Sequence, residues 1–156
     1  MKRFTLPVFL LMFVFAMSSC GQGAASTPPT AIPPETATAK SPQVEDQASL
    51  IAGLQSAGAT VAVGDTVIQD FFTPEGHIIK VNGMDIQVFE YQNAGAMEKE
   101  ASQVAPDGGS VGTSMMMWMD APHFYKAGRI IILYVGSDTT ILNLLAKVVG
   151  PQFAGR

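Results

Sequence analysis

The chain has a single cysteine, Cys20, which excludes an internal disulfide framework, because a bridge needs two thiols. Histidine occurs only as His77 and His123, so an imidazole-rich metal centre or a catalytic dyad has few ways to form. Pairs such as Asp65/Asp70 and Glu98/Glu100 lack calcium-loop spacing and read as solvated faces. Gly108-Gly109 and Gly112 follow a helical stretch and do not join a strand to a helix, so a phosphate-cradling loop is not indicated. Charge is scarce as well, at 14% of residues, while 47% are hydrophobic, which indicates a folded core. The longest apolar run, Phe4 to Met17, falls short of the ~20 residues that span a bilayer.

What the first twenty residues do contain is ordered. Lys2 and Arg3 precede the apolar run, and Ser18-Ser19 separate it from Cys20, which is how a secretory signal reads. Met17-Ser18-Ser19-Cys20 resembles the lipobox of bacterial lipoproteins, with Met17 where Leu is commonest. The resemblance implies cleavage before Cys20, a diacylglyceryl group on its sulfur and, often, a third acyl chain such as palmitate on the freed amine. It also implies a lipid-anchored protein on the extracytoplasmic face of the cell membrane or outer membrane. Gly21 is not the Asp that marks inner-membrane retention in lipoproteins of some two-membrane bacteria. Losing Lys2 and Arg3 leaves seven basic against thirteen acidic residues, a net charge of −6. That sign disfavours nucleic acid and anionic membrane surfaces as partners.

The expected organisation is a signal over 1–19, a lipidated Cys20 with a tether to 47, and one domain over 48–156. The tether holds Pro28-Pro29, Pro33-Pro34 and Pro42 among Ala, Thr and Ser, and has too few large apolar residues to order itself. At ~3.1 Å per residue in an extended form its upper reach is roughly 80 Å.

Within the domain, Leu50, Ile51, Leu54 and Ala57 form one apolar stripe, predicting a helix that starts near Asp46 to Ser49 and stops at Gly58. Ala59 to Val63 reads as a strand, Gly64-Asp65 as a turn, and Thr66 to Phe72 as a second strand or an edge segment. Asn82-Gly83 predicts a tight hairpin between His77–Val81 and Met84–Tyr91. Asn93 predicts an N-cap for a helix over Ala94 to Val104. Thr113 to Met119 reads as a strand. His123–Tyr125 and Arg129–Val135 form another hairpin around Lys126 to Gly128, and the continuous apolar run Ile130–Val135 reads as a strand buried on both faces. Ser137 or Asp138 caps a final helix carrying Ile141, Leu142, Leu144, Leu145 and Val148, which Gly150-Pro151 ends.

A hairpin followed by a helix thus occurs twice. The predicted fold is α+β: a two-layer sandwich in which about three helices cover one face of an antiparallel sheet. The stretches Val81-Asn82-Gly83 to Tyr91 and Pro122-His123-Phe124-Tyr125 to Gly136 resemble segments of small bacterial lipoproteins without assigned activity, and that similarity brings no site with it.

The most suggestive chemistry lies in Met115-Met116-Met117-Trp118-Met119 with His123. On an extended strand Met115, Met117 and Met119 share a face, ~6.8 Å apart at successive steps. Thioethers with an imidazole suit Cu(I), and the residue types resemble those of small periplasmic copper carriers. The competing readings are a core filled by adaptable methionines and an exposed Met–Trp patch for a partner. Both histidines are expected at turn edges, and an acylated Cys20 is not a nucleophile. The expectation is therefore a non-catalytic binding or interaction module for an unknown envelope protein or small ligand. A copper-binding lipoprotein and a small extracytoplasmic enzyme are the alternatives. Met115, Met117, Trp118, Met119 and His123 are the candidate site, no catalytic residue or cofactor is assigned, and solvent exposure of the methionines decides between core and site.

Overall fold

The computed structural model describes residues 43–156. The signal, Cys20 and the tether as far as residue 42 lie outside the described residues. The elements run α1 (Gln47–Ser56), β1 (Val61–Val67), β2 (Gly76–Val81), β3 (Met84–Glu90), α2 (Ala94–Ala101), β4 (Ser110–Val111), β5 (Ser114–Met115), β6 (Pro122–Ala127), β7 (Ile130–Val135), α3 (Thr139–Val149) and β8 (Ala154–Gly155). Six strands form one antiparallel sheet in the order β1-β2-β3-β7-β6-β8, and β4-β5 is a separate small hairpin.

Local chemistry sets the helix ends. The Asp46 carboxylate accepts from Ser49 N–H, and the Ser49 hydroxyl accepts from Asp46 N–H, so two otherwise orphaned donors at the start of α1 are satisfied reciprocally. The bonds that the Ser49 N–H and the Ser49 hydroxyl donate to the carboxylate, the latter at 2.7 Å, hold the Asp46 carboxyl below its ordinary range, aided by nearby Arg129. At the other end Gly58 takes φ +96°, its N–H donates to Gln55 and that of Ala59 donates to Leu54, the two bonds of a Schellman stop. Asn93 and Asp138 cap α2 and α3. Asn82 at φ +51° and Gly83 at φ +90° close the β2–β3 turn.

Several elements depart from the sequence expectation, among them the second strand expected over Thr66 to Phe72, which is absent because β1 carries the chain to Val67 and no strand follows before β2. Gly64-Asp65 does not turn the chain; β1 runs through it, and the register slips by one residue between Val63↔Ile79 and Thr66↔His77. The extra residue is a bulge in an edge strand, a feature that disrupts the edge as a template for another chain. Helix α2 ends at Ala101, because Val104 N–H turns back to Ala101 and Val104 bridges to Val111 instead. The hairpin β6–β7 turns at Gly128-Arg129, with Gly128 at φ +51°, where a Cβ would overlap the backbone of Glu45. The folded part also takes in residues 44–47, assigned above to the tether: Val44 is buried in the core and Arg129 N–H donates to Glu45 O at 2.9 Å.

The fold is α+β with an antiparallel sheet and three helices, as the pattern indicated. The helices are not gathered on one face, however. Ile86, Val88, Ile130, Ile132 and Tyr134 face Leu50 and Leu54 of α1 and Ile141 and Leu145 of α3. Phe89, Ile131, Leu133 and Phe124 face Met97 and Ala101 of α2, together with Val104, Val111 and Trp118. The cause is β7 itself: with apolar residues at successive positions, both of its faces need cover. The two hairpins do meet side by side through β3 and β7, but the helix after each lies on the opposite face, so the hairpin–helix echo does not extend to the packing.

Candidate functional site

The face covered by α2 carries the methionine run. Its framework is a series of backbone bonds between two segments: Ala105 N–H to Ser110 O, Gly112 N–H to Gln103 O, and Met116 N–H to Gly109 O at 2.9 Å. The expected long strand over Thr113–Met119 is replaced by the two-residue β5 and a stretch without regular secondary structure. Alternation nevertheless persists. Trp118 turns inward, edge-on to Phe71 and Phe124 at centroid distances of 6.1 and 5.9 Å, and its Nε1–H donates to Gly108 O at 2.7 Å. Gly108 takes φ +69°, and a Cβ there would crowd Pro122 and Phe124, so glycine fits its close packing on β6. The alternate positions Met115, Met117 and Met119 are 89%, 99% and 103% exposed, whereas Met97 of α2 is 5% exposed.

The sequence-level candidates therefore separate. Met115, Met117 and Met119 lie on the surface, and Trp118 anchors the run on the aromatic cluster. His123 does not join them. It is not at an exposed turn edge but within β6, 5% exposed, its ring stacked on Tyr134 of the opposite core at 6.1 Å. The neighbouring Phe124 faces Trp118, so strand alternation sends the imidazole to the other face. Its Nδ1 lies 2.7 Å from Gln152 Oε1, and Nε2 is buried without a partner. His77 likewise sits inside β2, half-buried. Among the described residues no group of three or more His, Cys, Asp or Glu is placed to hold a metal ion.

One correspondence escaped the sequence reading. Gly108-Gly109-Ser110-Val111-Gly112 has G-x-S-x-G spacing. A nucleophile elbow needs a strand before the serine and a helix after it. Here Ser110 follows a turn and opens the two-residue β4, and the chain continues into β5. The spacing is that of a hairpin in this chain: Gly108 O accepts from Trp118 Nε1–H, Gly109 O from Met116 N–H, and Gly112 N–H donates to Gln103 O.

Beside the run lies an open groove of about 690 Å³ between the segment 70–74 and α2, lined by Phe71, Phe72, Thr73, Tyr91, Lys99 and Glu100 among others. The size falls within the usual range for small-ligand clefts. The Glu100 carboxylate holds the groove together: it accepts from Thr73 N–H at 3.0 Å, from the Thr73 hydroxyl and from Tyr91 OH at 2.9 Å. Burial first, and the Glu100 carboxylate second, push the Tyr91 phenol upward, so it stays a neutral donor. Phe71 belongs both to the groove and to the Trp118 stack, which makes groove and methionine run neighbours on one face.

No protein-family model, curated protein or solved structure matches this chain. Among the described residues no helix is long and apolar enough to cross a membrane.

Proposed function

We propose that the protein is a lipid-anchored extracytoplasmic binding module without catalysis, held at the membrane by acylated Cys20 and contacting an envelope protein through the face built on Trp118. The observation that carries this reading is the exposure of Met115, Met117 and Met119 on a run whose inner positions are pinned. Three long apolar side chains in water are unfavourable unless another surface covers them, and methionine, unbranched and polarisable, adapts to irregular partners. Met and Trp are also enriched in the cores of protein interfaces. The Cu(I) alternative loses its imidazole, because His123 is buried on the other side of the sheet, and the thioethers alone bring no fixed geometry.

The test is a triple substitution, Met115→Ser, Met117→Ser and Met119→Ser, in cells that make the full-length chain. Amine crosslinking of these cells should yield a discrete adduct with the unsubstituted protein and about tenfold less with the variant, as expected when contacts worth somewhat over 1 kcal/mol are lost. Thermal unfolding should not change, because none of the three side chains supports the core. Equal adduct from both proteins rules out the methionine face as the contact.

A further inference from the structure

Nine methionines occur in the chain, and the structure sorts those of the domain by access. Met97 lies under α2 in the core, Met116 is half-buried, Met84 is 40% exposed, and Met115, Met117 and Met119 stand almost wholly in solvent. Thioether oxidation follows access of the oxidant to sulfur, and the product is polar where the parent was apolar. What distinguishes this run is that its fold does not depend on the exposed thioethers. Met116 N–H on Gly109 O and Trp118 Nε1–H on Gly108 O hold the backbone, and the Trp118 ring is seated on Phe71 and Phe124. Oxidation at the three outward positions therefore changes the surface and leaves the scaffold.

We infer that Met115, Met117 and Met119 form a peroxide-responsive modification site that converts the face from apolar to polar without unfolding the domain. In each step hydrogen peroxide transfers one oxygen to a thioether sulfur. An S–O bond forms and the peroxide O–O bond breaks. Sulfur gives up two electrons, and the displaced hydroxide takes the remaining proton and leaves as water. The consequence for partner binding rests on the reading proposed above, since a sulfoxide on a contact side chain weakens an apolar interface. The modification itself does not rest on it.

The experiment treats the purified full-length protein with limiting hydrogen peroxide and locates sulfoxides by fragment-ion mass spectrometry. Met115, Met117 and Met119 should be oxidised at least about tenfold faster than Met97. The oxidised protein should leave a phenyl column earlier, with an unchanged far-ultraviolet circular dichroism spectrum. Oxidation of Met97 as fast as Met117, unchanged retention on the column, or unfolding at the first sulfoxides would each overturn the inference. Selective oxidation in a chain that gives no crosslinked adduct in cells upholds the modification site and removes the binding reading, so the two fail separately.

Discussion

Phe124→Ala should lower the unfolding free energy by about 3–5 kcal/mol, the loss expected when a fully buried aromatic ring is truncated. Phe124 is fully buried, and its ring meets Phe72, Trp118 and Phe153 at centroid distances of 6.4, 5.9 and 6.2 Å. Truncation removes the transfer free energy of the ring and leaves a cavity among side chains that cannot all move in, since Gly108 already lies against the ring and β6 is held between β7 and β8. Urea denaturation should show the midpoint moving with the slope preserved. Trp118 fluorescence should also shift in the folded state, because the indole loses one of its two aromatic supports. A loss under about 1 kcal/mol would mean that the site relaxes freely, and that the seat of the methionine run is softer than its geometry indicates.

Cys20→Ser should abolish incorporation of an alkyne-tagged palmitate and move the chain from the membrane fraction to the soluble fraction. Each buried CH₂ of an acyl chain contributes roughly 0.8 kcal/mol, and two chains together give stable anchoring, so on the proposed acylation of Cys20 the loss of its sulfur should change partitioning from nearly complete to nearly absent. The domain should unfold at an unchanged denaturant concentration, because its packing begins at Val44, well beyond Cys20 in sequence. Full membrane retention without the palmitate label would contradict the anchor and leave the apolar run Phe4 to Met17 as the attachment.

Much of the fold could be read from local signals, because those signals act locally. Asn82-Gly83 dictates a two-residue turn wherever it stands between strands, and Asp46, Asn93, Asp138 and Gly58 act within one helical turn. The run Ile130–Val135 declared a central strand through its composition alone. The departures lie where a residue's role depends on a distant partner. Gly64-Asp65 looks like a turn until β2 continues opposite both sides of it. The two-residue strand β8 exists only because β6 presents a free edge, to which Ala154 and Gly155 pair. His123 is buried because Gln152, 29 residues on, satisfies its Nδ1 while Tyr134 covers its ring.

The candidate site was half legible for a related reason. Period-two spacing put Met115, Met117 and Met119 on one face, and all three are exposed in the structure; the grouping of Trp118 with them as one exposed patch does not hold, because Trp118 packs against the aromatic cluster. Spacing cannot say which side faces the core, since both are apolar. The indole is the larger surface and needs a hydrogen-bond acceptor when covered, and Gly108 O supplies it. The groove beside α2 had no signature, because Thr73, Tyr91 and Glu100 come from three separate stretches that meet only once the sheet is assembled.

The central claim is that the methionine face is the surface the anchored domain presents to its partner. It is tested most directly by a photoreactive amino acid placed singly at position 117 and, as a control, at position 147 of α3, in full-length protein in intact cells. Met117 belongs to the run seated on the α2 face, and Lys147 is an exposed residue on α3, which covers the opposite face. The account predicts a discrete higher-mass adduct from position 117 and none from position 147. Adduct from 147 alone, or equal adduct from both, would contradict it.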